Sequence, residues 1–277
     1  MSSLPIKKIY CDTKFKRFDS KSTSNFKIDL PQTLKLPNNC VLYIDDVSIP
    51  RTFYTVEEGV NDNLYFRVQL ANGGSYDDYI IKLDSKDYNG VQFAAEIQSK
   101  VTSATFGGVT NCSYDYQTKR VSISVGNLDI NFFTDEELES GSIGWNGVSY
   151  NLKDLHSGNE LLTNVVPNVV GNTGTPAQYY LNLTPVRNIY MKSPNLSSYN
   201  TIGCNGESSI IKKIPVNASP GEMITSNITS STDFIPCNNL TLRTVEIQLV
   251  DVNGVVINLH NNNMSFSILF DVMNSDQ

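Results

Sequence analysis

Histidine and tryptophan are scarce in this chain of 277 residues, which holds two histidines and one tryptophan. Histidine is the most frequent general acid or base and a frequent metal ligand. Here His156 lies in a polar segment and His260 is followed by three asparagines. The sequence also lacks a nucleophile elbow, a zinc-protease motif and a phosphate-binding loop. We therefore expect no catalytic, cofactor-binding or metal-binding residues, and we expect that the protein is not an enzyme.

Charged residues are few, at 18% of the chain, and the net charge of −7 reflects 28 acidic against 21 basic residues. Binding nucleic acid without sequence preference requires an excess of lysine and arginine. The basic runs are short: Lys7–Lys8, Lys14–Arg17 and Lys212–Lys213. We interpret them as solvated strand ends and expect no specific nucleic-acid partner.

Closely spaced cysteines and long apolar runs are both missing. The cysteines are Cys11, Cys40, Cys112, Cys204 and Cys237, and no two are near enough in sequence for a zinc-ligand pair. We expect free thiols in a reducing compartment. No apolar run approaches the length of a membrane span, and Met1–Pro5 lacks the apolar stretch of a secretory signal. We therefore expect neither a membrane span nor a secretory signal.

What the sequence does contain is period-two alternation, which predicts half-buried strands. Phe26, Ile28 and Leu30 alternate with polar residues, and Pro31 is predicted to end that strand because proline cannot donate to a ladder. Further strands are predicted at 40–49, 64–70, 79–83, 112–116, 121–125, 130–133, 179–183, 188–192, 209–216, 223–225, 241–251 and 265–272. The 14 tyrosines and 12 phenylalanines are interpreted mainly as core residues of these strands.

One convincing helix is predicted, over Gly90–Val101, because Phe93, Ile97 and Val101 form an apolar stripe. Asn89 and Asp87 are the candidate N-caps. Many short strands separated by Gly, Pro and Asn turns favour an all-β sandwich, and the jelly roll is a common way of protecting its edges. We predict an all-β protein, a single jelly roll with an inserted small α+β or β module that contains the only substantial helix. The predicted limits are residues 1–75 and 176–277 for the roll and 76–175 for the insertion.

Three acidic stretches are candidate sites. Asp45 and Asp46 lie within one strand, so strict alternation predicts that their carboxylates face opposite sides of the sheet. The run Asp135–Glu139 is interpreted as a solvated helix or helix N-terminus in preference to a cation site. Asp251–Gly254 begins like a calcium loop but lacks the later ligands, and Asn253–Gly254 is typical of a hairpin turn.

Several phrases resemble, in order, the minor capsid (penton) proteins of polinton-type elements, adintoviruses, polinton-like viruses and virophages. They are Ile9–Asp12, Ser24–Leu30, Leu36–Pro37, Tyr43–Val56, Asn188–Leu196, Ile210–Val216, Val256–His260 and Ser265–Val272. The resemblance spans about residues 7–273 of the sequence. It implies a jelly roll that forms homopentamers at the vertices of an icosahedral capsid. The length fits this minor protein better than the double jelly-roll major protein.

The resemblance also implies partners and a location. The pentamer would meet the double jelly-roll major capsid protein at the capsid vertices of the virion, after assembly inside the host cell. The segment with Lys7, Lys8 and Lys14–Arg17 would lie near the shell interior, and contact of this segment with a packaged genome is the alternative to a solvated strand end. The inserted module would face outward as a candidate contact for a host receptor or a spike.

Other functions remain open at this point. An attachment or fibre-like β protein that binds a receptor or glycan would have the same strand pattern, with a trimer in place of a pentamer. A β-sandwich glycan hydrolase would need two paired carboxylates in a cleft. A host gene descended from such an element would share the whole pattern.

Overall fold

The computed structural model describes residues 7–69, 75–105, 110–126, 128–140, 151–162, 177–197, 201–203, 206–227, 233–238 and 240–272. The chain divides into two compact units. The first, here called the roll unit, comprises Met1–Phe53 and Val186–Gln277, and the second, the middle unit, comprises Tyr54–Pro185. Cys204 lies outside the described residues, and so do residues 71–74, whose sequence Ala-Asn-Gly-Gly predicts a turn.

Most of the described strands and the main helix lie close to their predicted positions. The strands are β1 (Lys7–Asp12), β2 (Asn25–Lys35), β3 (Cys40–Pro50), β4 (Asn63–Gln69), β5 (Tyr76–Lys82), β6 (Thr110–Asp115), β7 (Arg120–Val125), β8 (Ile130–Phe132), β9 (Ala177–Tyr180), β10 (Asn188–Lys192), β11 (Ile210–Pro215), β12 (Met223–Ser226), β13 (Ile235–Pro236), β14 (Thr241–Val250) and β15 (Ser265–Val272). The α-helices are α1 (Gly90–Ala104), α2 (Asp135–Ser140) and α3 (Leu152–Leu155).

The roll unit is built from two antiparallel sheets. One has the order β1-β15-β3-β12, with β13 also pairing with β3, and the other has the order β11-β10-β14-β2. If β13 is set aside and the other eight strands are lettered B to I in chain order, the sheets read B-I-D-G and F-E-H-C. Two four-stranded sheets with this crossed connectivity form a jelly roll.

Both sheets of the roll contribute side chains to one hydrophobic core. Ile44 and Ile268 enter it from the first sheet, and Ile189 and Ile247 enter it from the second. In β14, Val245, Ile247 and Leu249 alternate with polar residues, which predicts that these three face the core, and all three are buried. Alternation therefore identified the core face of this strand correctly, since each strand of a sandwich buries one face.

The prediction that Pro31 ends its strand is wrong, because β2 continues to Lys35. β2 is the last strand of its sheet and pairs with β14 alone in the described part of the chain. Its register shifts between Leu242 and Thr244 of β14, opposite the stretch that contains Pro31. Proline lacks an N–H, and an edge strand with an irregular register accommodates that absence.

The middle unit contains two three-stranded sheets, ordered β5-β4-β8 and β6-β7-β9. Helix α1 packs against β6 through the predicted stripe, and Phe93, Ile97 and Val101 are fully buried. Asn89 is the N-cap and forms a capping box with Gln92. Asp87 instead accepts hydrogen bonds from the backbone N–H and hydroxyl of Thr55, both at 3.1 Å.

The limits of the two units differ from the predicted limits at residues 75 and 175. Strand β4 was assigned to the roll from the sequence, but it pairs with β5 on one side and β8 on the other. The division of the chain therefore falls after Phe53 and after Pro185. No helix within the described ranges is long and apolar enough to cross a membrane.

Candidate assembly surface

Strand β1 lies at the outer edge of the first sheet of the roll. Within the described residues it pairs only with β15, from Lys7 opposite Phe270 to Asp12 opposite Ser265. Ile9 and Cys11 turn towards the core, so Lys8, Tyr10 and Asp12 lie on the opposite face. An edge strand presents backbone donors and acceptors that another chain can pair with.

Three aromatic side chains are exposed on β1 and the connection that follows it. Tyr10 is 76% exposed, Phe15 is 74% exposed and Phe18 is 99% exposed. Burying one such ring removes about 150–250 Å² from water. Together with the outer edge of β1, we call these three residues the β1 edge surface.

The connection that carries Phe15 and Phe18 is held by hydrogen bonds to the body of the roll. Thr13 is fully buried, and its N–H donates to the Met264 carbonyl at 3.0 Å. Beyond Phe15, the Arg17 N–H donates to the Lys27 carbonyl at 2.7 Å, and the Arg17 guanidinium contacts Asp19 at 3.0 Å. The exposed rings are therefore presented by an anchored segment.

A pocket of about 290 Å³ opens beside these rings. Its lining combines residues of β1, β3 and β15 with Phe15: Tyr10, Cys11, Asp12, Phe15, Asp46, Ser265 and Phe266. The lining thus combines aromatic rings with the carboxylates of Asp12 and Asp46.

Asp45 and Asp46 occupy a β-bulge in β3. Opposite β15, Ile44 pairs with Ile268 and Val47 pairs with Phe266, so Ser267 faces two residues. Ile44 and Val47 both belong to the core, which leaves both carboxylates on the outer face. The prediction that they face opposite sides is wrong, because strict alternation fails across a bulge.

Each of these carboxylates has a partner on that face. Asp45 accepts from the Lys8 ammonium at 2.6 Å, and this hydrogen bond raises the pKa of Lys8. Asp46 accepts from the Ser267 hydroxyl at 2.5 Å. The two aspartates therefore connect β3 to β15, its neighbour in the sheet, and to β1, the strand beyond β15.

On its other side, and among the residues that the structure describes, β3 has a gap in its pairing. β13 pairs with Val41 and Leu42, and β12 pairs with Val47 to Pro50. Between these stretches the Ile44 carbonyl accepts from the Lys212 ammonium of β11 at 2.7 Å. Lys212 is buried, and burial lowers its pKa, while Asp233, Asp45 and Asp46 oppose that shift. A lysine from the second sheet therefore bridges the sandwich.

The remaining candidate residues have local structural roles. His260 Nδ1 lies 2.6 Å from the Thr52 carbonyl, and His156 and His260 both adopt positive φ. Asp251 accepts from the backbone N–H of Asn253 and Val255 within a turn that Gly254 completes at φ 79°. The turn closes a short antiparallel pairing between Val250 and Val256, as the hairpin-type prediction expects, although β14 and β15 themselves belong to different sheets.

The acidic run at Asp135–Glu139 begins α2, as the preferred interpretation of the sequence held. Glu137 accepts from the Thr134 N–H at 2.8 Å, and the Thr134 hydroxyl accepts from the Glu137 N–H at 3.1 Å. This reciprocal pair is a capping box. Across the described ranges, no group of three or more His, Cys, Asp or Glu side chains is placed to hold a metal ion.

Sequence reasoning did not identify the β1 edge surface. It assigned the aromatic residues mainly to the core, yet Tyr10, Phe15 and Phe18 lie in the solvent-facing part of the roll unit. One signal was available, since Phe15 and Phe18 fall between predicted strands and among basic residues.

Comparisons with known proteins agree with this architecture. No protein-family model and no curated protein matches the sequence. Among solved structures, the fold is similar to the crystal structure of the selenomethionine-labelled mavirus penton protein, with a TM-score of 0.52 and 11% sequence identity. The match covers 96% of this chain and 100% of that chain. It confirms the predicted all-β jelly-roll class, and the matched structure is a penton protein, the kind of protein that the sequence phrases resemble.

Proposed function

We propose that this protein is a structural capsid protein of the penton type, which forms homopentamers at the five-fold vertices of an icosahedral capsid. The observation that carries the proposal is the extent of the fold similarity. It covers 96% of this chain, the roll and the middle unit alike, and all of the mavirus penton protein. The ordered sequence phrases give independent support for the same role.

The β1 edge surface supplies a lateral contact for such a ring. A ring forms when one patch on each copy binds a different patch on the next copy and the rotation closes. Tyr10, Phe15 and Phe18 are exposed and anchored, and a large exposed apolar patch marks an interaction site. In the ring, these side chains bury their rings against the neighbouring copy.

The middle unit has a different role in this proposal. Its residues, Tyr54–Pro185, fall between strands β3 and β10 of the jelly roll. We assign it as an insertion in that connection that faces outward and offers a surface to a host receptor or spike. The roll then contacts the double jelly-roll major capsid protein around the vertex.

The first test is the symmetry of the assembled protein. The purified chain is examined by native mass spectrometry and by electron-microscopy class averages, alone and mixed with the major capsid protein of the same element. Five-fold rings are the expected result. Three-fold particles would favour the attachment-protein alternative, and a monomer under both conditions would refute the ring.

The second test addresses the contact itself. The double substitution of Phe15→Ser and Phe18→Ser removes two exposed rings and leaves the core untouched. An aromatic residue at the centre of an interface contributes about 2 kcal/mol or more, which is roughly a 30-fold change in affinity for each contact. We expect the variant to remain folded and to lose the ring at concentrations where the unmodified protein keeps it.

The matched control is Tyr116→Ser in the middle unit, where Tyr116 is 67% exposed. It removes an exposed aromatic of similar size from the unit assigned to face outward. The control should assemble like the unmodified protein. Equal assembly of all three proteins would show that the β1 edge surface is not the lateral contact, and loss of assembly in the control alone would place the contact on the middle unit.

A further inference from the structure

Cys40 and Cys237 lie side by side in the roll unit. Cys40 is the first residue of β3, and Cys237 directly follows β13. β13 and β3 are antiparallel, with Ile235 opposite Leu42 and Pro236 opposite Val41, so the next pair in this register is Cys237 opposite Cys40. The Cys237 N–H donates to the Cys40 carbonyl at 2.8 Å, which extends the ladder to this pair.

Both cysteines also belong to the same hydrophobic core of the roll unit. Both thiols are free and buried, and each affects the pKa of the other. Directly opposed residues of an antiparallel pair have Cα atoms about 4.5–5.5 Å apart. Disulfides span Cα separations of about 4.4–6.8 Å. The backbone is therefore already placed for a covalent bond between these two residues.

We propose that Cys40 and Cys237 form a cross-strand disulfide when the protein meets a small-molecule disulfide as oxidant. One cysteine thiolate attacks the oxidant, forms a mixed disulfide and releases the first small thiol. The second cysteine thiolate then attacks the protein-bound sulfur of that mixed disulfide and releases the second small thiol. The two protons lost by the protein are taken up by the two leaving thiolates, so one oxidant is reduced for each protein disulfide formed.

The surroundings of the pair set the rate of this reaction. Burial raises the pKa of both thiols, so few thiolates are present near neutral pH and direct attack is slow. In a reducing compartment the pair stays as two thiols, and in oxidising surroundings outside a cell it closes. The cross-link between these two cysteines therefore forms slowly and specifically.

The disulfide would link β3, in one sheet of the roll, to the segment that leads into β14 of the other sheet. After Cys237 the chain turns, with the Leu240 N–H donating to the Cys237 carbonyl at 3.3 Å, and β14 begins at Thr241. β3 belongs to the first sheet and β14 to the second. The bond also closes a long loop, and long loops gain the most from a cross-link in the chain-entropy model.

The test is oxidation of the purified, folded protein with oxidised glutathione, followed by alkylation of the remaining thiols and non-reducing peptide mapping. We expect one linked peptide pair that contains Cys40 and Cys237, and two fewer alkylated cysteines. The midpoint of thermal unfolding should rise by about 5–10 °C and return to its original value after reduction.

Cys11→Ala is the matched control, because Cys11 is another buried free thiol of the same unit. This variant should form the same linked pair, and Cys237→Ala should not form it. If Cys237→Ala does not fold, the peptide map of the unmodified protein still shows whether Cys40 and Cys237 are linked. Glutathione held permanently on Cys40 or Cys237, a link from either to another cysteine, or no loss of thiols after prolonged oxidation would overturn the assignment.

Discussion

The hydroxyl of Tyr179 provides a sharp test of how the middle unit is held together. Tyr179 is 1% exposed, and its hydroxyl accepts a hydrogen bond from the Phe132 N–H at 3.1 Å. Tyr179 belongs to β9 and Phe132 to β8, so this bond joins the two sheets of the unit. The rings of the two residues also pack edge to face with centroids 5.4 Å apart.

Tyr179→Phe removes one oxygen and keeps the ring contact. The Phe132 N–H then loses its acceptor in a buried site, and such a loss costs about 1–3 kcal/mol. The control is Tyr180→Phe, the same change at the next residue, whose side chain is 46% exposed and whose hydroxyl accepts a hydrogen bond from the exposed Arg120 guanidinium. Surface changes of this kind stay within about 0.5 kcal/mol.

The pH dependence gives a second, independent measurement. Burial raises the pKa of Tyr179 above its ordinary value of 10.0. Because the folded pKa is the higher one, the stabilisation from Tyr179 is complete below pH 10 and is lost as the pH rises through the folded pKa. The free-energy difference between the wild type and Tyr179→Phe should therefore shrink above pH 10, by at most about 1.4 kcal/mol per pH unit.

The assay is urea unfolding of the three proteins, followed by far-ultraviolet circular dichroism at pH 7 to 11. Equal stability of Tyr179→Phe and Tyr180→Phe at pH 7 would refute the bridging role of the hydroxyl. A difference from the wild type that stays constant above pH 10 would refute the burial of an un-ionised phenol.

Three further predictions concern buried groups elsewhere. Phe93→Ala in α1 should lower the free energy of unfolding by about 3–5 kcal/mol, measured in urea, because Phe93 is fully buried; a loss below 1 kcal/mol would contradict its core position. Burial raises the pKa of Cys11 to about 12, so its alkylation at pH 8 should be roughly 1,000-fold slower in the folded than in the unfolded protein, followed by peptide mass spectrometry; equal rates would contradict this burial. The buried Lys212 has a lowered pKa, so the wild type should gain stability relative to Lys212→Met as the pH rises from the folded pKa towards 10.5, and a pH-independent difference in urea unfolding would argue against a buried ammonium.

The strands were predictable because each buries one face along its own length. Strand β10 was predicted with its observed bounds, Asn188–Lys192, and α1 was predicted to begin where it does, at Gly90. Both depend on local pattern, on periodicity and on a cap two or three residues away. In such elements, the residues within a short stretch of sequence determine where the strand or helix begins and which face it buries.

The departures arise where one element depends on a distant one. The bulge at Asp45 and Asp46 is defined by Ser267 of β15, more than two hundred positions along the chain. The extension of β2 past Pro31 depends on its position at the edge of a sheet. The assignment of β4 to the middle unit depends on its partners β5 and β8. Alternation shows which residues of a strand face the core, but it does not show which strand lies beside it. Pairing of this kind therefore cannot be inferred from alternation.

The same reasoning explains why the candidate surface emerged only from the fold. The sequence alone does not distinguish an aromatic residue that will be exposed from one that will be buried. The distinction is visible only once the core is packed. The roll fills its interior with residues of both sheets and leaves Tyr10, Phe15 and Phe18 outside. The core does not need these rings, and in the proposed pentamer they are buried against the neighbouring copy. In the described part of the chain, the outer side of the neighbouring β1 has no pairing strand. Such an edge adds backbone pairing to apolar burial, and one copy of a β protein can hold the next by these two interactions.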